Sequence, residues 1–161
     1  MTERMDPNII DRYEHGGEKL KQAIKGLTRD DMHSFPVPGT WSIQQIVLHL
    51  ADSDLVMSDR MKRVIAEDNP SLLAFDETLW VKNLHYELQS AEDAANLFDL
   101  NRRLLATILR VLPDAAFARK GNHSERGPLT LAQLVESAVN HLEHHLKFIY
   151  DKREKLGKLM W

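Results

Sequence analysis

Three histidines have the side-chain type and the spacing of a metal site. His141 and His145 are four residues apart on a predicted helix, so their imidazole rings project from the same side, separated by about 6 Å along the axis. Two imidazole nitrogens in that relation can bind one divalent metal ion. A third donor must come from another helix. His49 is the best placed, because apolar residues flank it on the inward face of its own predicted helix.

The absence of cysteine narrows the metal chemistry. Histidine and carboxylate are the only strong metal ligands available in the sequence. Three histidine ligands leave coordination positions open for water or substrate, which is typical of a reactive site and not of a closed structural one. A metal ion there can make water nucleophilic near neutral pH, polarise a carbonyl group or activate a thiolate brought by a substrate. We therefore expect a small-molecule substrate.

The same histidines also have structural interpretations. H-x-x-x-H on a helix is a weaker signal than H-E-x-x-H. Imidazoles that point into an apolar seam nevertheless need hydrogen-bond partners on their nitrogens, which favours a metal. Three hypotheses stay open: a metal-dependent enzyme, a binding module in which a metal stabilises the bundle without turnover, and a metal-free helical dimer in which the histidines are polar core residues.

Two further side chains are candidates for catalysis. Asp52 lies three residues after His49 and shares its face, so it could orient that imidazole or act as a base, although a surface carboxylate would look the same. Asp54 lies closer to the apolar seam and is a rival for these roles. His123, in a predicted loop bounded by glycines, could contribute to a pocket mouth; a solvent-exposed loop histidine is the simpler interpretation.

Long helices must position these side chains. Gly16 and Gly17 fall in the interior of the first predicted helix, where they indicate either a bend or a close approach to the helix backbone, and we favour close helix packing over the approach of a ligand. Little in the sequence indicates strands, so residues 28–41 and 114–129 are predicted to be irregular connections. Four stretches have the apolar period and the capping residues of helices, and they cover approximately residues 6–26, 42–67, 90–113 and 130–156.

The connection between the second and third helices is long. Residues 69–90 have a weak pattern, with one short helical turn predicted at 76–80. Antiparallel neighbours need only a short loop, whereas about twenty residues can return the chain along the bundle and leave the two helices parallel. We predict an all-α four-helix bundle with a long crossover between helices two and three, in a single domain spanning residues 1–161.

Composition and charge exclude several functional classes. A net charge of −3 with interspersed signs provides no large field for capturing nucleic acid, so we predict no nucleic-acid partner. No stretch approaches the roughly 18 apolar residues of a membrane span, and the N-terminal sequence has no apolar segment of signal-peptide length. We therefore expect a cytoplasmic protein without a membrane partner.

Several short motifs occur in a fixed order along nearly the whole chain. They are Gly39-Thr40-Trp41-Ser42-Ile43, His49-Leu50-Ala51-Asp52, Asn69-Pro70, Phe75-Asp76-Glu77, Gly127-Pro128-Leu129-Thr130-Leu131 and the His141-x-x-x-His145 pair. In order and spacing they resemble the DinB-like (YfiT-like) superfamily. That resemblance implies a four-helix bundle in up-down-down-up order, which agrees with the long crossover.

The resemblance also implies a metal centre and a class of reaction. Family members with the full ligand set bind a divalent metal through one histidine on helix two and an H-x-x-x-H pair on the last helix, and for this chain we expect Zn or Ni, with Fe as the other candidate. The matching positions are His49, His141 and His145. The implied activity is that of a hydrolase, or of a transferase that joins a low-molecular-weight thiol to an electrophile in detoxification or stress response. Homodimers are common in the family.

Overall fold

The computed structural model describes residues 6–159, which form helices and three short strands. In chain order the helices are α1 (Ile9–Glu14), α2 (Gly16–Ile24), α3 (Arg29–His33), α4 (Ile43–Ala66), α5 (Glu77–Asn83), α6 (Ala91–Val111) and α7 (Leu131–Lys155). The strands are β1 (Ser71–Leu72), β2 (Lys120–His123) and β3 (Gly127–Thr130). Short 3₁₀ turns occur at Tyr86–Leu88 and Asp114–Ala118.

The bundle consists of four helical units, which are α1 together with α2, then α4, α6 and α7. α1 and α2 together act as the first bundle helix and pack against α6 and α7; α4 packs against the same two helices from the other side. α4 and α6 are joined by the long crossover, which contains β1 and α5. The predicted all-α, up-down-down-up four-helix bundle with a crossover between its second and third helices is confirmed.

Side-chain caps fix where the long helices begin. Ser42 and Thr130 each form the predicted capping box, in which the hydroxyl accepts from a backbone N–H and the glutamine three residues later accepts from the cap's own N–H. Ser90 caps α6 with its hydroxyl. The three helices that carry most of the core therefore start where the sequence predicts.

The first bundle helix differs from the prediction, because it is not continuous. His15 separates α1 from α2, and the two glycines follow directly after this break. A Cβ atom on Gly17 would lie 2.4 Å from the backbone Cα of Asp99 in α6. The expected close packing is therefore confirmed, and the chain also breaks its helix where that packing occurs.

A small sheet occupies connections that were predicted to be irregular. β1 pairs in parallel with β2, and β2 pairs antiparallel with β3, so β2 is the central strand. The prediction of a loop without strands over residues 114–129 was wrong, because the pairing of Leu72 with His123 joins segments that no local pattern connects. His123 consequently lies in a strand and is buried, not exposed on a loop. Residues 28–41 likewise contain the short helix α3.

Buried polar residues divide the core of the bundle. One apolar cluster includes buried residues within 43–51 of α4, 91–98 of α6 and 142–149 of α7. The other includes buried residues within 61–64, 105–109 and 131–139 of the same helices. Between the two lies a set of buried polar side chains that we call the polar layer: Ser53, Asp54, Ser58, Asp99 and Arg102.

Substituting Gly17→Ala should destabilise the protein although alanine is the better helix former. The new methyl group would overlap the α6 backbone, and we expect the free energy of unfolding to fall by about 2 kcal/mol in urea denaturation, as for other overpacked sites. Glu18→Ala, on the exposed side of the same helix, is the matched control and should change stability little. A Gly17→Ala variant as stable as the wild type would contradict the close approach of α2 and α6.

Candidate metal centre

α4 and α7 bring three histidine side chains together inside the bundle. One ring nitrogen from each of His49, His141 and His145 lies within 4.8 Å of the others. Nε2 of His49 and Nε2 of His141 are 3.1 Å apart, and each pair of rings has centroids 4.7–5.0 Å apart. The predicted third donor from helix two therefore lies beside the helical pair, on the inner side of α4.

The hydrogen-bonding of these rings leaves unsatisfied nitrogen atoms. Nδ1 of His145 is buried and has no hydrogen-bond partner among residues 6–159. At the close contact between His49 and His141, a single proton can serve only one of the two facing nitrogens as donor. Nitrogen lone pairs that face one another in a buried place repel each other, whereas a cation between them would be bound by all of them. The donor set of three nitrogens and no sulfur suits a borderline divalent ion.

Burial controls the protonation of all three rings. It lowers the pKa of His49 to about 3, with a smaller contribution from the nearby His145. It lowers the pKa of His141 to about 3, helped by His145, His49 and Arg102. It lowers the pKa of His145 to about 4, helped by His144. Near neutral pH the three rings are therefore neutral, which is the form that binds a metal ion.

Aromatic and hydroxyl neighbours hold the rings in place. The ring of Trp41 is stacked parallel to that of His145 at 6.3 Å and lies 4.9 Å from that of His49. The hydroxyl oxygen of Ser53 lies 3.3 Å from Nδ1 of His49, one helical turn further along α4. The indole of Trp41 therefore packs beside His49 and lies near His145.

Asp52 lies beside the histidines without contacting them through a hydrogen bond. Its carboxylate accepts a hydrogen bond of 2.6 Å from the hydroxyl of Tyr86, and Ser53 is the side chain that reaches the ring of His49. Burial, and then this bond to Asp52, raise the pKa of Tyr86, so that its hydroxyl stays protonated as the donor. A catalytic role for Asp52 stays a prediction.

His123 is not brought into the three-histidine group. Its Nδ1 accepts hydrogen bonds from the backbone N–H groups of Glu125 and Arg126, which places the proton of the neutral ring on Nε2. Burial, followed by the charges of Arg60 and Arg126, lowers the pKa of His123. The contacts of this ring are those of a side chain that holds the β2–β3 turn, and a catalytic role stays a prediction.

Asp54, the rival of Asp52, has a structural partner. It is 2% exposed and its Oδ1 accepts from Nε of Arg102 at 2.8 Å, while Asn101 donates to its other oxygen. Arg102 is 1% exposed and also donates to the carbonyl of Ala138 on α7. Both carboxylate oxygens of Asp54 therefore have partners within the bundle, and the residue belongs to the polar layer.

Glu77 is the site residue that sequence analysis missed. It is the first residue of α5, and its Oε2 lies 3.5 Å from Nε2 of His49 although 54% of the side chain is exposed. The signal was present in Phe75-Asp76-Glu77, which contributed to the family resemblance, and in Asp76, which caps α5. The path of the crossover brings the carboxylate to the histidines, and no helical period in the sequence shows that path.

An open cleft of about 680 Å³ begins one helical turn from His49. Its floor is α4 between Asp52 and Arg63, and its opposite wall consists of residues 71–75 and Trp80. We call it the α4 cleft. Its volume is in the range that accommodates a small organic molecule.

Comparison with known proteins shows the family. A sequence profile of the DinB superfamily matches residues 12–149. The chain belongs to the DinB superfamily. This agrees with the order of short motifs along the sequence, and the matched region includes α4, the long crossover, α6 and most of α7.

Individual relatives and one solved structure are similar to this chain over most of its length. YfiT of Bacillus subtilis is 31% identical over 146 residues, covering 86% of this chain and 79% of the relative. A protein of Oceanobacillus iheyensis is 28% identical over 130 residues, 81% of this chain and 75% of the relative. Both are named "putative metal-dependent hydrolase". The solved structure of YfiT, described as an unusual four-helix bundle, superposes with a TM-score of 0.89 at 25% identity over 98% of this chain and 93% of that one.

The described helices, all within residues 6–159, include none with the length and apolar character needed to cross a membrane.

Acid should destabilise the metal-free protein. Because the pKa values of the three histidines are lowered in the fold to about 3–4, the unfolded chain binds more protons than the folded chain between about pH 6.5 and that range. The free energy of unfolding should therefore fall as the pH decreases through this window, by up to about 1.4 kcal/mol per pH unit for each histidine. Urea denaturation of chelator-treated protein at pH 7, 5.5 and 4.5 measures this slope, and His145→Gln should reduce it. Stability that is unchanged from pH 7 to 4.5 would contradict the burial of neutral rings.

Proposed function

We propose that this protein is a metal-dependent hydrolase of small molecules and that His49, His141 and His145 bind its metal ion, with Zn or Ni preferred and Fe as the other candidate. One observation supports the proposal above all. Three imidazole nitrogens, neutral by burial, converge within 4.8 Å, and His145 Nδ1 has no other partner among the described residues. The names of the relatives, which describe metal-dependent hydrolases, point to the same class of reaction.

The chemistry follows from the ligand set. A divalent ion held by three neutral histidines supplies Lewis acidity, which makes water nucleophilic near neutral pH and polarises a substrate carbonyl. The protein's own groups do the rest. The hydroxyl of Ser53 lies 3.3 Å from Nδ1 of His49 and so orients that ring, and the indole of Trp41 packs beside the same ring.

Glu77 is the best placed proton acceptor. Its carboxylate lies 3.5 Å from Nε2 of His49 on the exposed side of the centre, where it can take a proton from an attacking water and release it to solvent. Asp52 is held by Tyr86 at the near end of the α4 cleft. We assign Asp52 to substrate orientation and Glu77 to proton transfer. His123 lies outside the histidine group, and its bonds to the backbone of the β2–β3 turn support no catalytic step.

The α4 cleft favours an enzyme over a metal-binding module without turnover. A purely structural metal site is typically closed by protein ligands, whereas the three histidines would leave coordination positions open, and Asp52, one helical turn from His49, lines an open cleft of about 680 Å³. Hydrolysis requires only water as the nucleophile. Transfer of a low-molecular-weight thiol would use the same metal and a larger part of the cleft, so both reactions are assayed together.

Loss of a predicted ligand should remove the metal and the activity together. We expect wild-type protein, produced without a histidine tag, to bind about one equivalent of Zn²⁺ or Ni²⁺ in isothermal titration, and His145→Ala to bind it at least about 100-fold more weakly, since one of three ligands is lost. His144→Ala is the matched control, because His144 is exposed and adjacent, and it should keep the metal. Wild-type protein that binds no stoichiometric metal would refute the site.

Activity is measured with the same proteins. The assays follow the hydrolysis of a panel of small esters and amides and, in parallel, the conjugation of a thiol to an electrophile. Glu77→Gln should keep the metal and lose about 10²–10⁴-fold in kcat, the usual contribution of a general base. Thiol conjugation without hydrolysis would replace the hydrolase by the transferase. Metal binding with neither activity would leave the non-catalytic module as the function.

We also propose a homodimer formed through α6. This helix exposes an apolar stripe, with each of its five members between 37% and 80% exposed. The stripe is symmetric about Leu104, because the other members lie four or seven residues away on either side. A two-fold axis at Leu104, with the helices antiparallel, would therefore match the stripe with itself, as an isologous dimer requires. The members are Leu97, Leu100, Leu104, Ile108 and Val111.

A charge in the middle of this stripe should separate the subunits. Leu104→Glu would place two carboxylates together at the axis, so we expect a monomer by light scattering where the wild type is a dimer. Leu88→Glu is the control, because Leu88 is 77% exposed and lies outside α6. A wild type that is monomeric at all concentrations, or a Leu104→Glu variant that stays dimeric, would contradict the α6 interface.

A further inference from the structure

The α4 cleft has an apolar and aromatic body. The rings of Phe75 and Trp80 lie 4.6 Å apart at 52° on the wall opposite α4, and Leu55 and Val56 face them from the floor. Such a wall suits an apolar or aromatic part of a ligand. It does not explain why charged side chains of α4 also line the cleft.

Most of those charges have partners. Asp52 accepts a hydrogen bond from Tyr86, and Asp59 accepts one from Arg63 at 2.9 Å. Arg63 is also 3.6 Å from a carboxylate oxygen of Glu67. Within residues 6–159, Arg60 is the cleft guanidinium that has no carboxylate within 4.0 Å.

The geometry of Arg60 leaves donors available. Its Nη2 donates to the carbonyl of Leu73, whereas its Nε is buried without a hydrogen-bond partner in the described part of the chain. The protein encloses Nε, so the donors left for a ligand are those of Nη1 and the second N–H of Nη2, which can donate to both oxygens of one anionic group. Burial and the neighbouring charge of Arg126 lower the pKa of Arg60, so a negative charge there would relieve both effects.

We propose that the α4 cleft binds an organic anion whose carboxylate or phosphate group is held by Arg60 and whose apolar body lies against Phe75 and Trp80. The inference rests on the proposed function, because it assigns the class of substrate to the same site. It adds that the substrate is recognised by charge at the end of the cleft away from the histidines.

The spacing along α4 sets the size of this ligand. Arg60 is eleven residues from His49 on the same face of the helix, a separation of about 16 Å along the axis. The side chains of Arg60 and His49 cover part of this distance, and the ligand must cover the rest. Its anionic group and its reacting bond must therefore be several bonds apart. A compact anion such as acetate is therefore too short to use both ends.

A matched pair of probes tests the charge. We expect 4-phenylbutanoate to bind the metal-depleted protein at least about tenfold more tightly than 4-phenylbutanamide, which has the same shape without the charge, since charge-assisted hydrogen bonds are the stronger kind. Arg60→Gln should reduce this preference to within about twofold. Equal binding of the two probes by the wild type, or an unchanged preference in Arg60→Gln, would overturn the proposal.

Two further variants keep the experiment decisive. Arg63→Gln removes a neighbouring charge that already has carboxylate partners, and it should leave the preference unchanged. Loss of the preference in Arg63→Gln would show that Arg63 holds the anion, and it would overturn the assignment to Arg60. If Arg60→Gln does not fold, as judged by its melting curve, Arg60→Lys replaces it: the preference should weaken because lysine cannot donate in a fork, and an unchanged preference would overturn the role of Arg60.

A further comparison distinguishes anion binding by Arg60 from anion binding by a metal ion at the histidines. In His145→Ala, which should lack the metal, the preference for the anion should persist. An anion that binds only the metal-loaded wild type, and is insensitive to Arg60→Gln, would be held at the histidines, and the proposal would fail. Because binding is measured without turnover, absence of hydrolysis with an intact Arg60-dependent preference would refute the hydrolase and leave the anion site standing.

Discussion

The enclosure of three imidazole rings in an apolar bundle, His49 fully and His141 and His145 in part, is the constraint on which the proposed centre depends. A core that packs the helices together also keeps these rings neutral, and neutral nitrogen is what a metal ion needs. The arrangement has a cost, since a buried polar atom without a partner destabilises a fold by about 1–3 kcal/mol. A cation held by the three histidines, as proposed, would remove that cost, and metal affinity and fold stability would then depend on the same few atoms.

The polar layer lies next to the three histidines, and its Ser53 contacts the ring of His49. Asp54 and Arg102 form a buried pair, and removing one member of such a pair costs about 3–5 kcal/mol. The guanidinium of Arg102 lies over the rings of Tyr13 and Phe98, at 4.6 and 4.3 Å from their centroids. A Cβ atom on Gly16 would lie 2.8 Å from its Nη1, so the glycine leaves room for the arginine. One side chain thus joins the first bundle helix, α4 and α7 around the centre.

Local patterns in the sequence predicted the features that depend on one helix at a time. The helical period placed His141 and His145 on one face of α7 and His49 on the inner face of α4, and a bundle brings such faces together. Features that depend on the path of a connection were missed. The pairing of Leu72 with His123 and the approach of Glu77 to the histidines both follow from the course of the crossover, which leaves no period in the sequence.

The length of α4 has a reason beyond packing. His49, Asp52, Val56 and Arg60 follow one another at steps of three and four, so they form a stripe beside the apolar face that the core uses. On a helix each residue turns by 100°, so the insertion of one residue between His49 and Arg60 would rotate the arginine toward the core. An uninterrupted helix of 24 residues therefore fixes the distance and the direction from the histidines to the far end of the cleft. The same rigid element that buries His49 thus determines how long a ligand would have to be to reach from the histidines to Arg60.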